Sequence, residues 1–218
     1  MHDTYLFDVD GTLVTMELNF TQIKQEVHSI LRNHGIPPDL LSGSISVLET
    51  IKMGVEYLQD HALDWEGLKE EAETYLEASE LQAASRAIPI DGAEAILRLL
   101  REKKVKIGVI TRNNRKVVMQ VLKKSGLDKY VDIVLARDDV EKVKPHPNHI
   151  LTAIQHLHTT PERTVVVGDH HFEIWAGKKA GCYTIGVLTG SGTRDTLQDA
   201  DLIFDSVREL KDFIVQEQ

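Results

Sequence analysis

The chain has 218 residues and a formal net charge of −9, with 42% hydrophobic and 27% charged residues, which is ordinary for a globular protein. This acidic balance argues against a nucleic-acid or anionic-membrane surface, which needs a basic patch, although a bound metal can still attract a small anion locally. The single cysteine, Cys182, excludes an intramolecular disulfide, and no apolar run is long enough to span a bilayer. The first apolar run follows Met1 too closely for a signal peptide. We therefore expect a cytoplasmic protein without nucleic-acid or membrane partners. Composition does not indicate its oligomeric state.

Short apolar runs recur along the chain, and helical patterns follow most of them. The runs are YLF (5–7), VKIGVI (105–110), DIVLA (132–136), TVVVGD (164–169), YTIGV (183–187) and LIF (202–204). The helical patterns lie near residues 91–103, 114–125, 147–158, 171–180 and 206–215. Runs that are apolar at almost every position predict strands covered on both faces. Their alternation with helices predicts an α/β fold with a parallel, doubly wound sheet.

One long interval interrupts this alternation. Between Thr15 and Arg86 helical periodicity dominates, in the segments 20–35, 40–59 and 65–85. An insertion of roughly seventy residues is far longer than an ordinary strand-to-helix loop, so we predict a helical subdomain at residues 15–87. Residues 1–14 and 88–218 then form the α/β core domain.

Two aspartates, Asp8 and Asp10, follow the first strand in the string FDVDGTLV. Residues two apart in an extended segment point the same way, and neighbouring carboxylates repel each other unless a cation or a proton lies between them. Gly11 permits a tight turn immediately afterwards. An ordinary Asp-Gly turn is the plainer interpretation, but the full string is more specific than such a turn.

Other polar residues follow later strands, and ligands bind at the carboxyl ends of the strands in open parallel sheets. Thr111 is either a helix N-cap or, with nearby backbone N–H groups, a binding site for phosphate oxygens. Lys144 precedes a proline, which favours an extended backbone, and its charge can neutralise phosphate. Asp169 and Glu173 either converge on Mg²⁺, which prefers oxygen ligands, or form an acidic pair at a helix start.

Together, the segments DVDGT, VITRN, KVKPHP and GDHHFE resemble the four motifs of the haloacid dehalogenase (HAD) superfamily of phosphohydrolases, nearest its phosphoglycolate phosphatase-like subgroup. The resemblance covers residues 1–15 and about 89 to the C-terminus, and the helical insert occupies the place of a cap domain. It implies a Rossmann-like core and a Mg²⁺-dependent phosphatase acting on a small phosphorylated metabolite such as phosphoglycolate.

The resemblance also implies a role for each matching residue. Asp8 would be the nucleophile that becomes an aspartyl-phosphate, and Asp10 the general acid and base, with its backbone carbonyl a metal ligand. The implied catalytic residues are Asp8, Asp10, Thr111 and Lys144. The implied phosphate-binding residues are Gly11, Thr111, Arg112 and Lys144, where Arg112 acts through its amide. The implied Mg²⁺ ligands are Asp8, Asp10, Asp169 and Glu173.

Two positions depart from the usual pattern of that family. Glu173 stands where an aspartate is usual, and His170 and His171 stand where a serine often follows the first acid. Both changes bear on the geometry of the metal site, and neither removes a catalytic group.

Several other functions share parts of the pattern. A phosphomutase of the β-phosphoglucomutase type has the same motifs and a helical cap, but returns the phosphoryl group to a sugar. A 2-haloacid dehalogenase does not need the acid/base group of Asp10. A non-catalytic phospho-aspartate regulatory module places its aspartate on a later strand and has no helical insert. The histidines, among them His146 and His149, lack the paired helix motif of a zinc hydrolase, so we expect no zinc site.

Overall fold

The computed structural model of the chain describes residues 2–41 and 46–216. The chain divides into two compact units, a core unit of Met1–Met16 and Ala84–Gln218 and a helical unit of Glu17–Ala83. The sequence predicts domain boundaries after residues 14 and 87, and the two units found here divide after residues 16 and 83. A cap function for the helical unit stays a prediction.

The core unit is built on a parallel sheet. The strands of the chain are β1 (Thr4–Phe7), β2 (Val14–Thr15), β3 (Ile88–Pro89), β4 (Lys106–Ile110), β5 (Ile133–Leu135), β6 (Thr164–Gly168), β7 (Tyr183–Val187) and β8 (Leu202–Phe204). Six of them pair in parallel, in the order β5-β4-β1-β6-β7-β8. Every residue of β1 and β6 is buried, as expected for strands covered on both faces. The predicted α/β fold is confirmed.

Helices of the core unit flank this sheet. They are α4 (Ala93–Glu102), α5 (Arg115–Ser125), α6 (Asn148–His156), α7 (His171–Ala180) and α8 (Leu210–Gln216). Helix α6 packs against α7, β4 and β5, while α4 packs against β4 and α8. One buried apolar cluster joins the sheet to α6 and α7 through Leu6, Ile110, Ile150, Val166 and Ala176. This packing fixes the strand ends from which the candidate site is built.

A short antiparallel ribbon of β2 and β3 lies where the chain leaves and re-enters the core unit. Val14 pairs with Pro89 and Thr15 with Ile88. The sequence pattern predicts no strand at these positions, because two-residue strands carry no periodicity of their own.

The helical unit contains α1 (Phe20–Asn33), α2 (Val47–Asp60) and most of α3 (Trp65–Ala84). Their apolar faces form a separate core that includes Ile23, Val27, Leu31, Leu58 and Leu68. The predicted helical segment 40–59 includes residues 42–45, which lie outside the described residues. Within residues 2–41 and 46–216, no helix combines the length and the apolar composition that crossing a membrane requires.

Candidate active site

The carboxyl ends of β4, β1 and β6 bring three of the predicted site residues to one edge of the sheet. Strand β1 lies between β4 and β6, and neighbouring strands are about 4.8 Å apart. Asp8, Thr111 and Asp169 directly follow these three strands, and all three are buried. The sheet topology therefore assembles residues that are more than fifty positions apart in the chain.

The side chain of Lys144 enters the same edge from the loop after β5. It is 1% exposed, and its Nζ donates to Asp8 Oδ1 at 2.6 Å and to the Ile110 carbonyl at 3.0 Å. A third contact, of 2.7 Å, joins Nζ to Glu173 Oε1. An ammonium has three N–H donors, so each of them has an acceptor in this arrangement. Lys144 thereby holds the ends of β1 and β4 to the start of α7.

Glu173 lies in the first turn of α7, where it is 3% exposed. Its Oε2 accepts from the His170 N–H at 3.1 Å, while the His170 ring accepts from the backbone, so the two residues form a capping box. Gly168 makes room for Glu173, because a Cβ at this glycine would lie 2.3 Å from Glu173 Cγ. The two carboxylate oxygens of Glu173 are therefore held by Lys144 and by the helix start.

A loop after β7 holds the carboxylate of Asp169. Ser191 donates to Asp169 Oδ2 from its backbone N–H at 2.7 Å and from its hydroxyl at 3.1 Å. Thr12 donates to the other oxygen at 3.5 Å. A Cβ at Gly11 or Gly190 would lie 2.6 or 2.1 Å from Asp169, so only glycines permit this close packing.

Asp10 lies at the turn that follows β1. Its Oδ1 accepts from the Met16 N–H at 2.8 Å. The turn depends on Gly11, whose φ of +86° is a conformation that L side chains rarely adopt. The N–H of Gly11 donates to the Val14 carbonyl, and its own carbonyl accepts from the Thr189 hydroxyl. The predicted contact of Gly11 with phosphate stays a prediction.

Thr111 and Arg112 form the other side of the site. The Thr111 N–H donates to the Leu135 carbonyl at 3.0 Å, and its Oγ1 accepts from the Asn113 N–H at 3.1 Å. The N-cap of α5 is Asn114, so the alternative interpretation of Thr111 as the helix cap is wrong. Its hydroxyl hydrogen can be donated to a phosphate oxygen. The Arg112 guanidinium lies 4.6 Å from the centre of the Phe172 ring.

The electrostatics of the acids follow from their burial and from the single lysine among them. Burial raises the pKa of Asp8 to about 8; the charge of Lys144 opposes this rise, while Glu173 and Asp169 add to it. Burial also opposes ionisation of Glu173, but the charge of Lys144 holds the pKa of Glu173 below its usual value. The charge of Lys144 thus lowers the pKa of both carboxylates, but the pKa of Asp8 stays raised by burial and by the neighbouring acids.

The other two acids also hold protons more tightly than in water. Burial raises the pKa of Asp10 to about 7, against the hydrogen bond from Met16 and with a contribution from the charge of Asp169. Burial and the charge of Glu173 raise the pKa of Asp169, against the hydrogen bonds from Ser191. Raised carboxyl pKa values of this kind are common at catalytic sites.

The oxygen donors at this edge fit a hard divalent cation better than any softer metal. The negative charge of Asp169 raises the pKa of Asp8, and a cation bound between the two carboxylates would relieve this repulsion. In the described part of the chain, however, no three His, Cys, Asp or Glu side chains form a group that could hold a metal ion. The side chains of Asp10 and Glu173 have the other partners given above. A Mg²⁺ ion would therefore rely on the carboxylates of Asp8 and Asp169 and on the Asp10 carbonyl that the resemblance implies.

Sequence reasoning missed two contributors to this site. Ser191 belongs to the segment TGSGT after β7, and the strand-end rule that selected the other residues could have selected it. The sequence suggests His149 only as a possible zinc ligand, yet the residue is fully buried and hydrogen-bonded to the Leu135 carbonyl. Nothing in its local sequence indicates that contact.

Comparisons with known proteins agree with this geometry. The family described as haloacid dehalogenase-like hydrolase matches residues 5–187. The chain is 29% identical over 216 residues to validoxylamine A 7'-phosphate phosphatase of Streptomyces hygroscopicus subsp. limoneus, with 97% of each chain covered. It is 33% identical over 185 residues to pyrophosphatase PpaX of Anoxybacillus flavithermus, with 85% of this chain and 83% of that one covered.

A solved structure with a similar fold is β-phosphoglucomutase from Clostridium difficile. The TM-score is 0.72 at 21% identity, with 100% of this chain and 96% of that one covered. A likeness at this identity shows the fold alone. The family match spans most of the chain and includes the residues that meet at the sheet edge, so the chain belongs to the haloacid dehalogenase-like hydrolase family.

Proposed function

We propose that the protein is a Mg²⁺-dependent phosphatase that hydrolyses a small phosphorylated metabolite through an aspartyl-phosphate on Asp8. The observation that carries this proposal is the buried 2.6 Å contact between Lys144 Nζ and Asp8 Oδ1, at the strand edge that also holds Thr111 and Asp169. A carboxylate nucleophile, a buried cation and a phosphate-binding hydroxyl are the groups that phosphoryl transfer to a side chain requires.

The first chemical step forms a bond between a carboxylate oxygen of Asp8 and phosphorus, and the ester P–O bond breaks. Asp10 donates its proton to the departing alkoxide oxygen as that bond breaks. Lys144 and the Thr111 hydroxyl stabilise the negative charge on the phosphoryl oxygens. Mg²⁺, when bound, supplies positive charge that offsets the charge of the phosphate and of the acids.

The second step releases phosphate. Asp10, now ionised, takes a proton from water, and the water oxygen attacks the phosphorus of the aspartyl-phosphate. The acyl-phosphate P–O bond breaks, which restores the Asp8 carboxylate. A pKa of about 7 for Asp10 suits both roles near neutral pH, since a general acid and base works best when its pKa lies near the operating pH.

The comparisons support a small phosphorylated compound as the substrate. The two curated relatives described above are named for phosphate-releasing reactions, on validoxylamine A 7'-phosphate and on pyrophosphate. The four sequence motifs resemble most nearly those of the phosphoglycolate phosphatase-like subgroup, so phosphoglycolate is a further candidate. The helical unit, as the proposed cap, would select the leaving group, so substitutions there should change the ranking of substrates.

The test is a phosphate-release screen over phosphoglycolate, pyrophosphate, sugar phosphates and cyclitol phosphates, with Mg²⁺ and with EDTA. Asp8→Asn should abolish turnover while the protein stays folded, because the change is nearly isosteric. Asp195→Asn, at an exposed aspartate, is the matched control and should keep wild-type activity. Full turnover by Asp8→Asn, or activity that is unchanged in EDTA, would refute the proposal.

A sugar phosphomutase is the second candidate, and only the shared fold with β-phosphoglucomutase favours it. The same screen separates the two activities when the sugar phosphates are also followed by NMR. A mutase would convert one sugar-phosphate isomer into another without releasing phosphate. A phosphatase would release phosphate and leave the unphosphorylated sugar.

A further inference from the structure

His149 is a buried histidine for which the proposed chemistry has no use. It lies in the first turn of α6, and its side chain is enclosed between the end of β5 and the backbone of Lys144. Its Nε2 lies 3.0 Å from the Leu135 carbonyl oxygen. The backbone N–H of Lys144 donates to its Nδ1 at 3.4 Å. Both ring nitrogens thus have backbone partners.

These two contacts fix the tautomer of the imidazole. A carbonyl oxygen can only accept, so Nε2 must carry the hydrogen, and an N–H can only donate, so Nδ1 must be the acceptor. Burial, together with the charge of Lys144, lowers the pKa of His149 to about 4. The ring is therefore neutral at physiological pH, with its hydrogen on Nε2.

The Leu135 carbonyl links His149 to a second site residue. The same oxygen accepts from the Thr111 N–H at 3.0 Å. A continuous chain of three hydrogen bonds therefore runs from the Thr111 backbone through Leu135 and the His149 ring to the Lys144 backbone. It joins two segments that both approach the phosphate-binding edge, although 33 positions separate them in the sequence (144 − 111).

We propose that His149 is a positioning residue that sets the distance between the Lys144 ammonium and the Thr111 hydroxyl. The Lys144 side chain is already tied to the end of β4 by its contact with the Ile110 carbonyl. His149 supplies the matching tie at the backbone, so the lysine is held at both ends of its side chain. Small displacements of a positioned group can reduce turnover by roughly 100-fold.

The test compares substitutions that remove one or both bonds. His149→Phe keeps an aromatic ring, although a larger one, and removes both hydrogen bonds. His149→Asn keeps an acceptor near the Nδ1 position, and His149→Gln keeps a donor near the Nε2 position. His156→Phe makes the same change at an exposed histidine of the same helix. We expect His149→Phe to lower kcat by roughly 10- to 100-fold with a smaller change in KM, and the amide variants to recover part of this loss. His156→Phe should match the wild type.

Two further readouts do not depend on activity. The ¹⁵N shifts of the wild-type His149 ring should show the hydrogen on Nε2, and hydrogen exchange at the Lys144 amide should be slow in the wild type and faster in His149→Phe. A hydrogen on Nδ1, or a folded His149→Phe with wild-type kcat, would overturn the proposal. The activity comparison rests on the proposed phosphatase function. If no substrate releases phosphate, that function fails, while the tautomer and the amide exchange still decide the hydrogen-bond chain.

Discussion

Replacing Lys144 with methionine removes the cation that contacts both Asp8 and Glu173 while keeping most of the aliphatic side chain. The side chains of Lys144 and Glu173 are 1% and 4% exposed, and Nζ lies 2.7 Å from Oε1. Without the lysine, the Glu173 carboxylate cannot be rehydrated unless the structure opens locally. Breaking a buried ion pair by removing one partner costs about 3–5 kcal/mol. With a urea m-value of about 2 kcal/mol/M, this corresponds to a fall of about 1.5–2.5 M in the unfolding midpoint.

The assay is urea unfolding at pH 8 in EDTA, followed by tryptophan fluorescence. The chain has two tryptophans, and Trp65 lies in the helical unit whereas Trp175 lies in the core unit. A Trp65→Phe background therefore makes the signal report on the core unit. Lys142→Met, at an exposed lysine two positions earlier, is the control and should change the free energy of unfolding by less than about 0.5 kcal/mol.

A second substitution tests the electrostatic cause directly. In the Lys144→Met background, Glu173→Gln removes the charge that has lost its partner, so half or more of the lost free energy should return, since neutralising both members of a buried pair is often close to neutral. The reasoning is refuted if Lys144→Met is no more destabilising than Lys142→Met. It is equally refuted if Glu173→Gln deepens the loss in that background.

Three further outcomes follow from the contacts of the core unit. Gly190→Ala places a Cβ 2.1 Å from Asp169 Oδ2 and should displace that carboxylate. The Mg²⁺ concentration for half-maximal activity should therefore rise roughly 10- to 100-fold, as it does when a residue that supports a metal ligand is lost. An unchanged concentration would show that this loop does not position Asp169. The His149 pKa of about 4 lies below its unfolded value, so only the unfolded chain gains the proton between about pH 6.5 and 4. The free energy of unfolding should therefore fall as pH drops through that window, by up to about 3 kcal/mol. Melting curves of the wild type and His149→Phe over this pH range test the prediction, and equal slopes of stability against pH for the two proteins would contradict it. Cys182 is buried, and burial raises the pKa of its thiol to about 12, so it should react with a disulfide reagent only in denaturant; rapid labelling of the folded protein would disprove the burial.

The sheet was predictable because its strands are marked by composition. Tyr183–Val187 and Leu202–Phe204 begin and end where the apolar runs do. Strands β4, β5 and β6 lie within their predicted runs, and β1 begins one residue before its run. Fully apolar runs of this length have few alternatives to a covered strand. The ends of the helices were less predictable. The last helix starts at Leu210 rather than near residue 206, because Ser206 caps a short 3₁₀ turn that precedes it.

The partners of Glu173 could not be predicted from its spacing alone. A position four residues after Asp169 suggested that both acids converge on one cation, but the same position is also N3 of a helix that starts after His170. A carboxylate at N3 can reach back to the N-cap N–H, and a histidine in the cap position gives no familiar signature for it. The contact with Lys144 depends on strand order, which the local sequence does not encode.

The charges of the site explain why the chain carries so unfavourable an arrangement. Asp8, Asp10, Asp169 and Glu173 are largely buried, and Lys144 is the cation that contacts Asp8 and Glu173. The charge of Lys144 lowers the pKa of both Asp8 and Glu173, but burial and the charges of Glu173 and Asp169 keep the pKa of Asp8 raised. Attack on phosphorus needs the ionised carboxylate of Asp8, which burial disfavours. A second positive charge at the sheet edge would offset this effect and favour ionisation of Asp8, which is the contribution that the proposed Mg²⁺ would make.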